Sequence, residues 1–345
     1  MTINFNNVYL RSTSTVAGKD EADGNFKEDY DKVYDDYYIK EKTFEQAEEK
    51  MVEDAVSIAL KKEKIKLNKI DVILGSDLLN QITASAYSSL KFNKPFLGLY
   101  NACASSTEEY IVAASLLQND NINNVLCNVS SHNMTAERQY RNPVEYGAPK
   151  PKRSTFTVTG ASSFILSKNK SNIKVTSASI GTTTDLGVND TNDMGSVMAP
   201  AAAKTIYEHF TDTHTGPFDY DLILTGDLGV YGKKILKEYM SEYYDINLGE
   251  KLEDAGSIIY DRDKQTKVNA GGSGPACIAL VLHSNILKRM ENKELKKVLV
   301  VATGALMSPT MNNQKLTIPA IAHAVCLEVV KWFSFTHFCF VDWYV

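Results

Sequence analysis

Residues 70–78 read I-D-V-I-L-G-S-D-L, and 150 positions later residues 220–228 read Y-D-L-I-L-T-G-D-L. Each is a short apolar run that closes in small residues and an aspartate, the pattern of a strand buried on both faces. A second pair follows in the same order, Asn124–Ser131 (N-V-L-C-N-V-S-S) and residues 297–304 (K-V-L-V-V-A-T-G). Residues 155–166 and 318–328 make a third. Between its first and second strands each half carries a small-residue turn and a helix, at 101–118 and at 269–290. Ordered pairs with matching turn–helix units point to an internal duplication. Strands alternating with helices predict an α/β chain of βαβ units, with largely parallel sheets and helices outside them. The expected division is a first half over 1–170, a second over 171–330 and an aromatic tail over 331–345.

One helix is legible residue by residue. Thr43 and Gln46 make a capping box, and Phe44, Ala47, Met51, Val52, Ala55, Val56 and Ala59 then form an apolar stripe. Residues 18–42 before it are rich in Gly, Asp and Tyr and read as an exposed loop. A duplicated α/β chain is expected to hold its functional site at strand C-termini, between the halves.

Bulk composition narrows the function classes. Of 345 residues, 43% are hydrophobic and 23% charged, ordinary for a globular protein but too long for one core. A net charge of −5 argues against nucleic acid as a partner, since phosphates demand a basic face. No run of about 18 apolar residues predicts a membrane span, and no basic start with an apolar run predicts a signal peptide. Five cysteines, none in a C-x-x-C pair, suggest neither a zinc site nor a disulfide framework, in keeping with a reducing cytoplasm. No metal and no cofactor is expected.

Cys103 lies in Asn101-Ala-Cys-Ala-Ser-Ser-Thr-Glu108, just ahead of a helix reaching about residue 118. Ser105 and Glu108 read as a capping box, which places Cys103 at a helix N-terminus. The dipole and unpaired N–H groups there favour a thiolate or a bound anion. A small thiol filling a tight turn is the plainer alternative. His132 ends a strand in Ser130-Ser-His-Asn133, where side chains meet a pocket. Arg138 and Arg141 follow on a predicted short helix, to meet carboxylates or solvent. Asp77 and Asp227 end the duplicated strands, and either can cap the turn that follows.

With Cys103, both halves and a glycine turn in view, the chain resembles the thiolase superfamily. That superfamily includes the β-ketoacyl synthases, in which a helix-terminal cysteine is acylated. The chain resembles still more the stage V sporulation protein AD family. The strings that carry this are Gly75-Ser-Asp-Leu-Leu-Asn-Gln81 and Ser130-Ser-His-Asn-Met-Thr-Ala-Glu-Arg-Gln-Tyr-Arg141. Three more are Asp193-Met-Gly-Ser-Val-Met-Ala-Pro-Ala-Ala-Ala203, Leu222-Ile-Leu-Thr-Gly-Asp-Leu228 and Val300-Val-Ala-Thr-Gly-Ala-Leu-Met-Ser-Pro-Thr310. The resemblance reaches about Glu328 and implies a thiolase-like fold of two duplicated halves in five layers, α-β-α-β-α. It also implies that the chain binds dipicolinic acid, alone or as its calcium salt. Such a protein acts with membrane proteins that carry the ligand across the inner membrane of a bacterial spore. On this reading the chain is peripheral on the cytoplasmic face of that membrane, with a homodimer left open. Asp77, Cys103 and His132 are the ligand-binding residues carried over.

Condensing enzymes of the superfamily need a base and an oxyanion donor beside the cysteine, usually two histidines or a histidine and an asparagine. The matching positions here read Thr225-Gly-Asp227 and Ala270-Gly-Gly-Ser-Gly274, and His323 fits neither motif. The expectation is therefore a binder and not an enzyme. The rival is an acyl-thioester enzyme using Cys103 as nucleophile, with His132 as base. After Glu328 the chain departs from the family pattern. Seven of its last fourteen residues are aromatic, a composition that suits a membrane interface but lacks the basic flank of an anchor.

Overall fold

The computed structural model describes residues 1–140 and 150–330, so the expectations for Arg141 and the aromatic tail fall outside the described residues. The first half-sheet holds β1 (Tyr9–Ala17), β2 (Val72–Ser76), β3 (Phe96–Gly98), β4 (Asn124–Ser131) and β5 (Gly160–Ser167). The second holds β6 (Ile173–Ser179), β7 (Leu222–Thr225), β8 (Leu252–Asp254), β9 (Lys297–Ala305) and β10 (Ala320–Val329). Their order is β3-β2-β4-β5-β1 and β8-β7-β9-β10-β6, the same arrangement twice. β1 and β6 pair over Tyr9 with Lys174 and Leu10 with Ile173, a short antiparallel seam that makes one sheet of the two.

The largely parallel sheet expected from the sequence is corrected to a mixed one. Within each half, three strands run parallel (β3, β2, β4 and β8, β7, β9), while β5 and β10 run antiparallel to their neighbours. A parallel pair needs a helical crossover. Between β9 and β10 the chain has only the short helix Pro309–Asn313 before it turns back.

Seven helices build the layers: α1 (Phe44–Glu63), α2 (Thr83–Phe92), α3 (Ser105–Leu116), α4 (Asn133–Tyr140), α5 (Met194–Thr213), α6 (Gly229–Tyr244) and α7 (Pro275–Val281). α1 and α2 cover the outer face of the first half-sheet, and α5 and α6 that of the second. α3 and α7 lie between the half-sheets, giving the thiolase-like α-β-α-β-α stack. The stripe on α1 is buried at Ala47, Met51, Val52, Ala55, Val56 and Ala59. Its capping box is half formed: Thr43 accepts from Gln46 N–H at 3.2 Å, but Gln46 Oε1 turns to Lys42 N–H at 3.3 Å. In the central layer Tyr110 of α3 stacks on Phe164 of β5, ring centres 4.1 Å apart.

Residues 18–42 also depart from expectation. They are not a plain exposed loop, because Asp20 and Glu21 are buried and tie the halves together. Glu21 accepts from Thr159 N–H at 3.1 Å and from the Tyr260 hydroxyl, while Asp20 pairs with Lys267. The acidic residues that suggested solvent find partners in the fold instead.

Candidate ligand site around Cys103

After β3 the chain turns sharply into α3. Ala102 takes the left-handed region, φ +50, a conformation that costs an L-residue about 1–2 kcal/mol. Local bonds hold it there. Asn101 N–H donates to Ser105 Oγ at 2.9 Å, Ser105 Oγ donates to the Ala102 carbonyl at 2.8 Å, and Ala104 N–H donates to the Asn101 carbonyl at 3.0 Å. Ser105 thus serves the elbow rather than the helix end. The N-cap is Ala104, which makes no side-chain cap, so the expected Ser105–Glu108 capping box is not formed.

The second half presses on this elbow from β9 and β10. A Cβ on Gly304 would sit 2.4 Å from the Asn101 carbonyl oxygen, so only glycine lets β9 pass. Gly181 N–H donates to Nδ1 of His323 on β10 at 3.1 Å, and Nε2 of the same ring lies 2.8 Å from Asn101 Nδ2. Burial holds the His323 pKa down at about 4, so the ring stays neutral near pH 7.

Cys103, half-buried and in no disulfide, lines a cavity of about 50 Å³ between the halves. The first half contributes Leu78, Tyr100, Ala102 and, from α4, Ala136, Glu137 and Tyr140. The second contributes Met194 and Met198 of α5, Ser273, Gly274, Ala305 and Met307. Glu137 is buried and ion-paired with Lys150 at 2.5 Å. Tyr140 donates its hydroxyl to the Leu78 carbonyl, so Tyr100 donates to Tyr140, 2.8 Å away. A groove of about 420 Å³ lies alongside and shares Tyr100, Tyr140 and Met307 with the cavity.

The positions where the sequence lacks a base and an oxyanion donor are also closed sterically. A Cβ on Gly226 would come within 2.7 Å of Ile278 Cβ, and one on Gly272 within 2.8 Å of Ile259 Cγ2. An imidazole or amide has no room at either position in this packing.

Of the three residues expected to meet the ligand, the structure places one on the cavity. Asp77 is fully buried and spends both oxygens on backbone, accepting from Leu79 N–H and Ser85 N–H at 2.8 Å each. Burial raises its pKa, and its neighbour Glu48 is raised as well, by burial and then by the Asp77 charge. His132 is likewise fully buried. Its Nδ1 accepts Met134 N–H at 3.2 Å, so Nε2 carries the proton and donates to the Tyr37 carbonyl at 2.8 Å. Burial holds its pKa down at about 4. Both His132 nitrogens bond to backbone, and the residue is not among those lining the cavity. Asp77 fixes the turn that presents Leu78, and His132 anchors the start of α4. Arg138 leaves the site altogether and pairs with Glu45 of α1.

The cavity's other walls escaped the sequence reading. Tyr100, the α4 pair Glu137 and Tyr140, and Met307 come from three separate segments, and no local pattern marks them as one wall. A signal did exist, however. Four of the five strings behind the family resemblance supply lining residues, through Leu78, Ala136, Met194 and Ala305 among others.

The family model of stage V sporulation protein AD (SpoVAD) matches residues 1–328. The chain belongs to the stage V sporulation protein AD family. It is 46% identical over 321 residues to stage V sporulation protein AD of Bacillus subtilis (strain 168), covering 93% of this chain and 94% of that one. Among solved structures it is similar to an OleA variant of Xanthomonas campestris, with TM-score 0.61, 13% identity and coverage of 94% and 99% of the two chains. It is also similar to 3-oxoacyl-[acyl-carrier-protein] synthase III of Aquifex aeolicus VF5 (TM-score 0.57, 13% identity, 93% and 99% covered). Human mitochondrial 3-ketoacyl-CoA thiolase is a third such structure (TM-score 0.57, 12% identity, 94% and 98% covered). These three give the family member its thiolase-like fold and nothing further. Among the described residues of this family member, no helix is long and apolar enough to cross a membrane.

Proposed function

We propose that this protein binds dipicolinic acid, as the free acid or its calcium salt, at the Cys103 cavity, and catalyses no acyl transfer there. The observation that carries the reading is steric. Cys103 keeps its strained elbow, yet Ile278 and Ile259 occupy the space that side chains at Gly226 and Gly272 would need. A condensation cycle needs a proton acceptor and an oxyanion donor beside the thiol, and neither position can supply one. A binding site needs only shape and complementary charge. The tyrosine rings and methionines offer flat apolar contact to an aromatic ligand. Recruitment to the inner spore membrane follows through membrane proteins of the same transport system.

Titration calorimetry of the full chain with dipicolinate tests the binding. Wild type should bind, and folded Cys103→Trp, which fills the cavity, should lose binding. An acyl-CoA condensation and thiolysis assay should show no turnover. Turnover that disappears in Cys103→Ser would overturn the reading.

A further inference from the structure

The cavity at Cys103 is small for the ligand class it is proposed to hold. A closed apolar cavity of about 150 Å³ takes up a benzene ring, whereas this one measures about 50 Å³. A six-membered ring with carboxylates does not enter it as it stands. The groove beside it has ample volume, about 420 Å³. Tyr100, Tyr140 and Met307 border both spaces.

Two of these three are joined. The chain of bonds runs from the Tyr100 hydroxyl to the Tyr140 oxygen at 2.8 Å, and from the Tyr140 hydroxyl to the Leu78 carbonyl. It links the elbow, the end of α4 and the turn after β2, so it closes a bar across three separate segments. Gln139 adds to the same latch, donating to the Leu78 carbonyl at 2.9 Å and accepting Asn80 N–H at 3.0 Å. Beyond the latch, Gln81 and Ile82 on the groove wall both take positive φ, +57 and +49. For a β-branched residue such as Ile82 this is a strained state. Tyr100 is 44% exposed, so its ring has solvent to swing into.

We infer that Tyr100 and Tyr140 form a size-selecting gate between the groove and Cys103. While the two hydroxyls are bonded, only small molecules reach the thiol. When the rings part, cavity and groove become one space that admits a ring-sized ligand. Burial raises the pKa of both phenols, so both keep their protons and the latch persists across the neutral range. The inference rests on the cavity being the ligand site, but its test uses no dipicolinate and stands apart from that reading.

The test compares two thiol reagents on the full chain: methyl methanethiosulfonate, which is small, and N-ethylmaleimide, which carries a ring. Adduct formation at Cys103 is followed by peptide mass spectrometry, so the other cysteines do not contribute. Each rate is normalised to the same reagent on the urea-unfolded chain. Wild type should discriminate against the ring reagent by tenfold or more. Tyr140→Phe removes both hydroxyl bonds and should reduce that discrimination by roughly tenfold, the equilibrium worth of two ordinary hydrogen bonds. Tyr100→Phe removes one bond at a half-exposed position, where folding is not at risk, and should reduce it about threefold. Equal normalised rates in wild type would overturn the gate. So would unchanged discrimination in folded Tyr140→Phe and Tyr100→Phe.

Discussion

Gly75-Ser76-Asp77 and Thr225-Gly226-Asp227 end equivalent strands of the two halves, yet they meet the central helices in opposite ways. In the first half, Ser76 Oγ donates to Glu109 of α3 at 2.6 Å, and Asp77 gives both oxygens to backbone N–H groups. In the second, Gly226 yields its space to Ile278 at the end of α7's first turn, and Asp227 has no hydrogen bond to either oxygen. Asp227 sits at φ +75, fully buried. Burial, and then the charge of Asp254, push its pKa well above 3.8, and the nearby Gly274 N–H offsets only part of this. The same letters therefore serve different physics. The first-half turn is wired into the wall of the cavity, while the second-half turn is packed shut where a catalytic side chain would need room.

Breaking the first-half wiring should have the largest effect. Asp77→Ala orphans two buried N–H groups, each costing about 1–3 kcal/mol, so a loss of about 4 kcal/mol is expected from urea midpoints. The Leu78 latch should loosen with it, raising the reactivity of Cys103 towards N-ethylmaleimide. A loss below about 1 kcal/mol would show that the turn does not depend on Asp77.

The second-half aspartate should respond with the opposite sign. Because the folded pKa of Asp227 is raised, the unfolded chain releases this proton first as pH climbs past its ordinary 3.8. Wild-type stability is then lost progressively as pH rises. Asn tolerates positive φ and has no proton to lose. The stability of Asp227→Asn relative to wild type should therefore improve as pH rises above about 4. Urea unfolding at several pH values measures it. A flat difference would mean that Asp227 is an anion with a partner.

This pair also marks how far the sequence could be read. The strands were legible because a buried strand must be apolar wherever it lies, and small residues at 101–105 announced a tight turn at Cys103. The fate of Asp77 and Asp227 was not, since their letters match and only the opposing helix, Glu109 or Ile278, tells them apart. His132 misled for a related reason. Polar residues ending a buried strand resemble a pocket, but here His132 satisfies the backbone of Met134 in α4 and of Tyr37. Tyr100 and Tyr140 lie forty residues apart, and nothing local couples them.

The smallest expected effects come from exchanging the two turns' middle residues. Ser76→Gly deletes the bond to Glu109, a carboxyl whose other oxygen already lacks a partner. Burial pushes the pKa of that carboxyl up, and about 1 kcal/mol is expected for the lost bond. Gly226→Ser is the reciprocal change and should cost more, about 2 kcal/mol, because its Cβ alone meets Ile278 Cβ at 2.7 Å. Removing the neighbour's Cβ should rescue it: Gly226→Ser with Ile278→Gly should unfold at a higher urea concentration than the sum of the two single losses predicts. Such a coupling would locate the closure of the second-half site in the contact between Gly226 and Ile278. Strict additivity in the double mutant would place it elsewhere, and the contrast between the two turns would then lose its steric half while keeping its electrostatic one.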